Sequence, residues 1–128
     1  MRILIADDHA RLRRGLADIL TEAFGGVEIG EAADVPEAVR LLRRRRWDVV
    51  ILDINMPGGS GFDVLRRIRR KRVRPAVLIL SLHAEDTYAL RALRGGAAGY
   101  MTKDRAAHDL VAAVRALLAG GRWPPHTR

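Results

Sequence analysis

Five times along the chain a short apolar run precedes a segment of helical period, and this alternation limits the fold more than any other feature. The apolar runs are residues 3–6, 49–52, 76–82 and 97–101, with a weaker one at 27–33. Most do not alternate apolar with polar, as expected of strands covered on both faces in a parallel sheet. Between them, Leu12, Leu16, Ile19 and Leu20 fall on one helical stripe, as do Leu110, Val111, Val114, Leu117 and Leu118. Ala38, Val39 and Leu42 mark another helix, with Asp34 as its N-cap and Pro36 in its first turn. Residues 63–72 and 85–93 supply two more. Strand then helix, repeated, predicts an α/β fold with a five-stranded parallel sheet, helices on both faces and right-handed crossovers.

Punctuation agrees with that reading. Residues 55–61 are a run of turn formers after the third strand, with Met56 and Pro57 shaping the loop. Gly120 and Gly121 end the last helix. At 128 residues the chain is one domain's worth, so residues 1–120 are expected to form it. Residues 121–128, with Pro124-Pro125 and no apolar period, read as the start of a linker.

Composition excludes several chemistries. Without cysteine there are no disulfides, zinc-thiolate sites, iron–sulfur clusters or thiol nucleophiles. No apolar run nears the roughly 20 residues of a membrane span, and the N-terminus meets two acids too soon for a secretory signal, so a cytoplasmic location is expected. The formal net charge of +8 favours an anionic partner.

In an open parallel sheet, ligands bind beyond the carboxyl ends of the strands. The first strand ends in Asp7-Asp8, the third in Asp53 with Asn55 two residues on, the fourth in Ser81, and the fifth runs into Lys103. Lys103 is one of only two lysines in the chain. Like charges about 4 Å apart repel by on the order of 4 kcal/mol at an effective dielectric near 20. Asp7, Asp8 and Asp53 must therefore hold a proton or a cation, and a hard divalent ion such as Mg2+ or Mn2+ suits all-oxygen ligands. Lys103 and Ser81 then offer donors to a phosphoryl group, and Asp53 is a candidate nucleophile forming an acyl phosphate.

Asp7-Asp8, Asp53, Ser81 and Lys103, at these spacings on five β–α units, resemble the receiver domain of two-component response regulators over residues 1–120. The resemblance implies the flavodoxin-like strand order 2-1-3-4-5. It also implies that Asp8 and Asp53 ligate magnesium, with the carbonyl of Asn55 completing the set and Asp7 acting through water. Ser81 and Tyr100 match the hydroxyl and aromatic that switch on phosphorylation. The implied partners are a sensor histidine kinase and a second copy of the chain. The implied role is a self-catalysed phospho-acceptor rather than an enzyme.

The segments 7–16, 81–83 and 99–104 are similar to receivers of the LuxR/NarL class, which precede a helix-turn-helix output. DNA binding would then belong to a domain absent from this chain, with an excised receiver favoured over a stand-alone one. Two positions depart from the common pattern. Leu82 stands where many receivers have a small residue, which would narrow access to Asp53. Asp104 replaces the usual proline after the lysine, leaving open the isomer of the Lys103–Asp104 bond; Asp104 also reads as an N-cap of the last helix.

Rival readings are an aspartyl phosphohydrolase, a polyanion-binding module and a flavin protein. The first lacks a second aspartate, having Asn55 in its place, and the last is opposed by the acidic first loop. The +8 charge motivates the polyanion module. Residues 66–74 hold seven basic residues in nine and residues 43–46 form a second run, both placed near helix ends as dipole complements. Trp47 reads as a packing residue, and Trp123 as cover for a subunit edge or as linker. His9, His83, His108 and His126 show no metal-ligand spacing, although His83 lies near enough to the acceptor to affect dephosphorylation.

Overall fold

A computed structural model describes residues 1–82 and 87–125. Five strands, β1 (Arg2–Ala6), β2 (Glu28–Ala32), β3 (Val49–Asp53), β6 (Ala76–Ser81) and β7 (Gly99–Thr102), form one sheet. All neighbours are parallel and the order is β2-β1-β3-β6-β7, which is 2-1-3-4-5 among the sheet's own strands. The intervening helices are α1 (Ala10–Ala23), α2 (Val35–Arg44), α3 (Gly61–Arg69), α4 (Thr87–Arg94) and α5 (Ala106–Leu118).

The unbroken apolar runs are explained by burial on both faces. Leu4, Val50, Leu52, Val77 and Ile79 pack with α2 and α3 and with Ala92 of α4. Their neighbours Ile3, Ile5, Val49, Ile51, Leu78 and Leu80 pack with α1 and α5. Each such side chain contributes about 1.5–3 kcal/mol, so the three central strands dominate the stability. The weak β2 is an edge strand, and its Gly30 makes room for Trp47: a Cβ there would lie 2.4 Å from the indole ring. Trp47 is buried, donates from Nε1 to Leu41 O at 2.9 Å, and is the packing residue expected.

Helix ends follow their capping chemistry. Asp34 accepts from Glu37 N at 2.8 Å, and the Glu37 side chain reaches back to Ala33 N. Asp34→Ala is expected to cost about 1 kcal/mol, measured as a shift of the urea midpoint at constant slope. At the other end of the chain, Gly120 at φ +83° and the bond from Gly121 N to Ala116 O close α5 in a Schellman turn.

Several expectations need correction. The turn-rich segment forms a hairpin, β4 (Asn55–Met56) with β5 (Gly59–Ser60), in which Met56 is buried. Helix α3 starts two residues earlier than residue 63 because Ser60 and Asp63 make a reciprocal capping box. Asp104 does not cap α5: the N-cap is Arg105, without a side-chain cap bond, and backbone bonds from Arg105 N to Thr102 O and Ala106 N to Lys103 O make the turn. The cis bond among the described residues is Trp123–Pro124, so Lys103–Asp104 is trans. Trp123 bridges to Gly99 and accepts from Tyr100 N at 3.0 Å, covering the open edge at β7. Leu82 is 57% exposed. His83, His126 and the first two residues of the expected 85–93 helix lie outside the described residues.

Candidate functional site

Among the described residues the buried polar side chains are Asp7, Asp53 and Ser81, all at the carboxyl ends of strands. Asp7 and Asp53 end or follow the adjacent strands β1 and β3, where the strand order reverses, and Ser81 ends β6 on the other side of β3.

Local backbone geometry aims each group. Asp7 N extends the ladder to Ala32 O at 2.9 Å, while Asp7 Oδ1 accepts from His9 N at 2.8 Å. Such Asx turns fix a short acid against its own backbone. Asp53 repeats the device, accepting from Asn55 N at 3.0 Å on Oδ1. Lys103 N donates to Ser81 O at 2.8 Å, which continues the β6–β7 ladder and sets the stem of the lysine.

From there Lys103 Nζ crosses the pocket. It lies 2.9 Å from Asp53 Oδ2, 3.1 Å from Asp7 Oδ2 and 2.8 Å from His9 Nδ1. An ammonium has three N–H donors, and the contact with Asp7 Oδ2 is close in charge but out of line for a hydrogen bond. That oxygen is buried without a hydrogen-bond partner among the described residues. Burial is the largest influence on Asp53 and raises its pKa; Lys103 and Asn55 N–H oppose it, and Asp7 adds to it. Burial alone would lower Lys103, but its bond to Asp53 and the charges of Asp53 and Asp7 win, and its pKa is raised.

Oxygen and nitrogen atoms of Asp7, Asp8, His9 and Asp53 lie within 4.8 Å of one another. Three carboxylates against one ammonium leave a charge of −2 if all are ionised, which a divalent cation neutralises. The orphaned Asp7 Oδ2 and the half-open Asp8, whose side chain is 35% exposed, fit such an ion. The acids and Lys103 converge as the sequence predicts. Sequence reasoning misses His9: its spacing carries no metal signature, and only the turn after β1 brings Nδ1 to 3.1 Å from Asp7 Oδ1. Asn55 is exposed and donates its backbone N–H to Asp53 Oδ1. Tyr100 is half-buried on β7 against the α2–α3–α4 side of the core. His108 pairs with Asp109 at 2.9 Å, apart from this cluster.

Residues 3–115 match the family model of the response regulator receiver domain. This chain belongs to that family. It is 33% identical over 123 residues to response regulator UvrY of Escherichia coli K12, covering 96% of this chain and 56% of UvrY. Response regulator GacA of Pseudomonas aeruginosa is 32% identical, with 96% and 58% covered. The chain thus spans little more than half the length of these relatives.

Among solved structures it is similar to a two-component response regulator of the LuxR family from Aurantimonas sp. SI85-9A1. The TM-score is 0.83 at 38% identity, covering 98% of this chain and 88% of that one. It is similar also to the non-phosphorylated receiver domain of RcsB from Escherichia coli, with a TM-score of 0.84, 28% identity, and 100% and 98% covered. The resemblance to the LuxR/NarL class is thereby upheld, and the receiver's place is in two-component signalling.

Proposed function

We propose that Asp53 accepts a phosphoryl group from the phosphohistidine of a sensor kinase, and that this controls a transcriptional output carried by chain beyond this domain. A carboxylate oxygen of Asp53 attacks phosphorus, the P–N bond to the donor imidazole breaks, and an acyl phosphate forms. Water later cleaves that acyl phosphate and restores the carboxylate. The domain is then a phospho-acceptor that resets itself, not an enzyme with a separate substrate. The observation that carries the reading is Lys103 Nζ, 2.9 Å from Asp53 and 3.1 Å from Asp7, at the mouth of an acidic cluster.

The roles proposed for the individual residues are those the family resemblance implies, and the placement of each is compatible with its role. Asn55 N–H and Lys103 hold Asp53 in one orientation and stabilise charge on the reacting carboxylate. Asp8, Asp53 and the Asn55 carbonyl, with Asp7 through water, would hold Mg2+ or Mn2+, which supplies positive charge to the incoming phosphoryl oxygens. Ser81, buried at the end of β6, is the hydroxyl that follows the phosphoryl group, and half-buried Tyr100 on the adjacent strand turns inward after it. That two-state movement alters pairing with a second copy of the chain, and through it DNA binding by the output domain. Among the described residues no helix is long and apolar enough to cross a membrane; we place the domain in the cytoplasm, beside its kinase.

Incubation with acetyl phosphate and Mg2+, followed by intact mass measurement, tests the assignment. The wild type is expected to gain the mass of one phosphoryl group and Asp53→Ala to gain none. Undiminished labelling of the variant would refute it.

A further inference from the structure

The basic runs have no part in the acceptor site, yet the fold concentrates them. Helices α2 and α3 lie side by side and enclose a groove of about 570 Å3, running from the hairpin turn at Gly58 to Arg70. Arg43, Arg66, Arg67 and Arg70 line it against a single acid, Asp63, which is already paired with Arg66. Beside it, around the end of α2, a second hollow of about 540 Å3 is lined by Arg2, Arg44, Arg45 and Arg46. These ends of α2 and α3 lead into the amino ends of β3 and β6, so the basic surface extends to the pole opposite the acid pocket.

Neutralising helix ends does not account for this charge. A helix C-terminus carries about half a negative charge, so the two ends together need about one cation. The last turns alone hold Arg43 and Arg44 on α2 and Arg66, Arg67 and Arg69 on α3. Nor are the arginines spent on carboxylates. Arg2 and Arg45 reach Glu28, but Arg43, Arg44, Arg46, Arg67 and Arg70 have no carboxylate within ion-pair distance among the described residues. Lys71 is different: its Nζ donates to Leu42 O at 2.8 Å and ties the two helix ends together.

We propose that this surface docks on the phosphate backbone of duplex nucleic acid. Planar guanidinium forks match phosphate oxygens. Among the described residues no aromatic side chain lines either hollow, so stacking on single-stranded bases has no platform there. Of the apolar lining, Val35 is buried and Val39 and Leu41 are half-buried, leaving Pro36 as the one exposed apolar member among the described residues, too little for an acidic amphipathic helix to anchor on. Arginine–phosphate bonds of this kind position a protein on DNA without reading its sequence. The inference stands apart from phosphorylation of Asp53 and survives its failure.

Fluorescence anisotropy with a short labelled duplex of arbitrary sequence, titrated with salt from about 50 to about 200 mM, tests it. Binding by the wild type is expected to weaken steeply with salt. In Arg43→Ala/Arg67→Ala/Arg70→Ala the slope of log K against log salt should fall by about 0.9 for each phosphate no longer neutralised, up to about 2.7. Arg11→Ala/Arg115→Ala/Arg122→Ala, on other surfaces and with the same net charge, should nearly keep the wild-type slope. Thermal melts of both variants should match the wild type. An equal fall in the two variants would make the effect one of diffuse charge and overturn the proposal. So would the absence of duplex binding at low salt, or one-to-one binding of inorganic tripolyphosphate by a wild type that ignores the duplex.

Discussion

Lys103→Met is expected to lower the unfolding free energy of the metal-free protein by about 3–5 kcal/mol near pH 7, the usual cost of removing one partner from a buried ion pair. Its side chain is 10% exposed, and those of Asp7 and Asp53 are 0% and 4%. Methionine keeps the bulk of the stem, so the loss is electrostatic: two carboxylates stay buried beside each other without a counter-charge. The difference should depend on pH in a defined sense. The raised pKa of Asp53 means that the folded state binds its proton more readily than the unfolded one, so this group costs stability at neutral pH and the cost fades as pH falls through its raised value. The variant also lacks the Lys103 bond that holds this pKa down, so the gap between wild type and variant should narrow on acidification. Lys103, also raised, stabilises the wild type up to its unfolded pKa and ceases to do so as pH rises through the folded one, so the gap should close again in strong alkali. Added Mg2+ should narrow it too, by supplying positive charge to the same oxygens. Urea unfolding in EDTA at a series of pH values measures all of this; a variant as stable as the wild type at pH 7 would show that Lys103 is not the counter-ion.

The parts of this molecule legible in the sequence are those fixed by burial and chain direction. Residues 49–52 and 77–80 read as strands because nearly every one is covered on its own face. The convergence of Asp8, Asp53 and Lys103 follows once those strands are parallel, since every carboxyl end then lies on one edge. What stayed hidden depends on packing between distant segments. β2 is blurred because an edge strand admits Glu28 and Glu31. The hairpin at Asn55–Ser60 has only two residues per strand, too few for a period. His9 enters the acid cluster through a turn, not a motif. The two basic runs are some twenty residues apart in sequence, and only the pairing of α2 with α3 makes them walls of one groove. Asp104 misleads because a good capping residue is outcompeted by a backbone turn one residue later.

Gly61 reads in the sequence as one turn former among several, yet its Gly61→Ala variant is expected to lose about 1–3 kcal/mol of stability and to slow labelling of Asp53 by on the order of 10–100-fold. As the first residue of α3 with no positive φ, position 61 is conformationally open to alanine, and in an unhindered helix the change would gain roughly 1 kcal/mol. Space decides otherwise. A Cβ there would sit 2.7 Å from both Asp53 O and Ile54 Cα, which are backbone atoms and cannot swing aside. The strain must move the segment after β3, where Gly61 N holds Ile54 O at 2.8 Å and Asn55 N holds Asp53 Oδ1 at 3.0 Å. Stability and the orientation of the Asp53 carboxylate are therefore impaired together. Gly15→Ala is the matching control: it lies inside α1 with nothing within 4 Å of its added Cβ, and should stabilise the domain by about 0.5–1 kcal/mol while leaving the labelling rate unchanged. Urea midpoints and initial rates with acetyl phosphate separate the two. If Gly61→Ala behaved like Gly15→Ala, the close approach of α3 to the backbone of Asp53 would not be what holds this carboxylate in place.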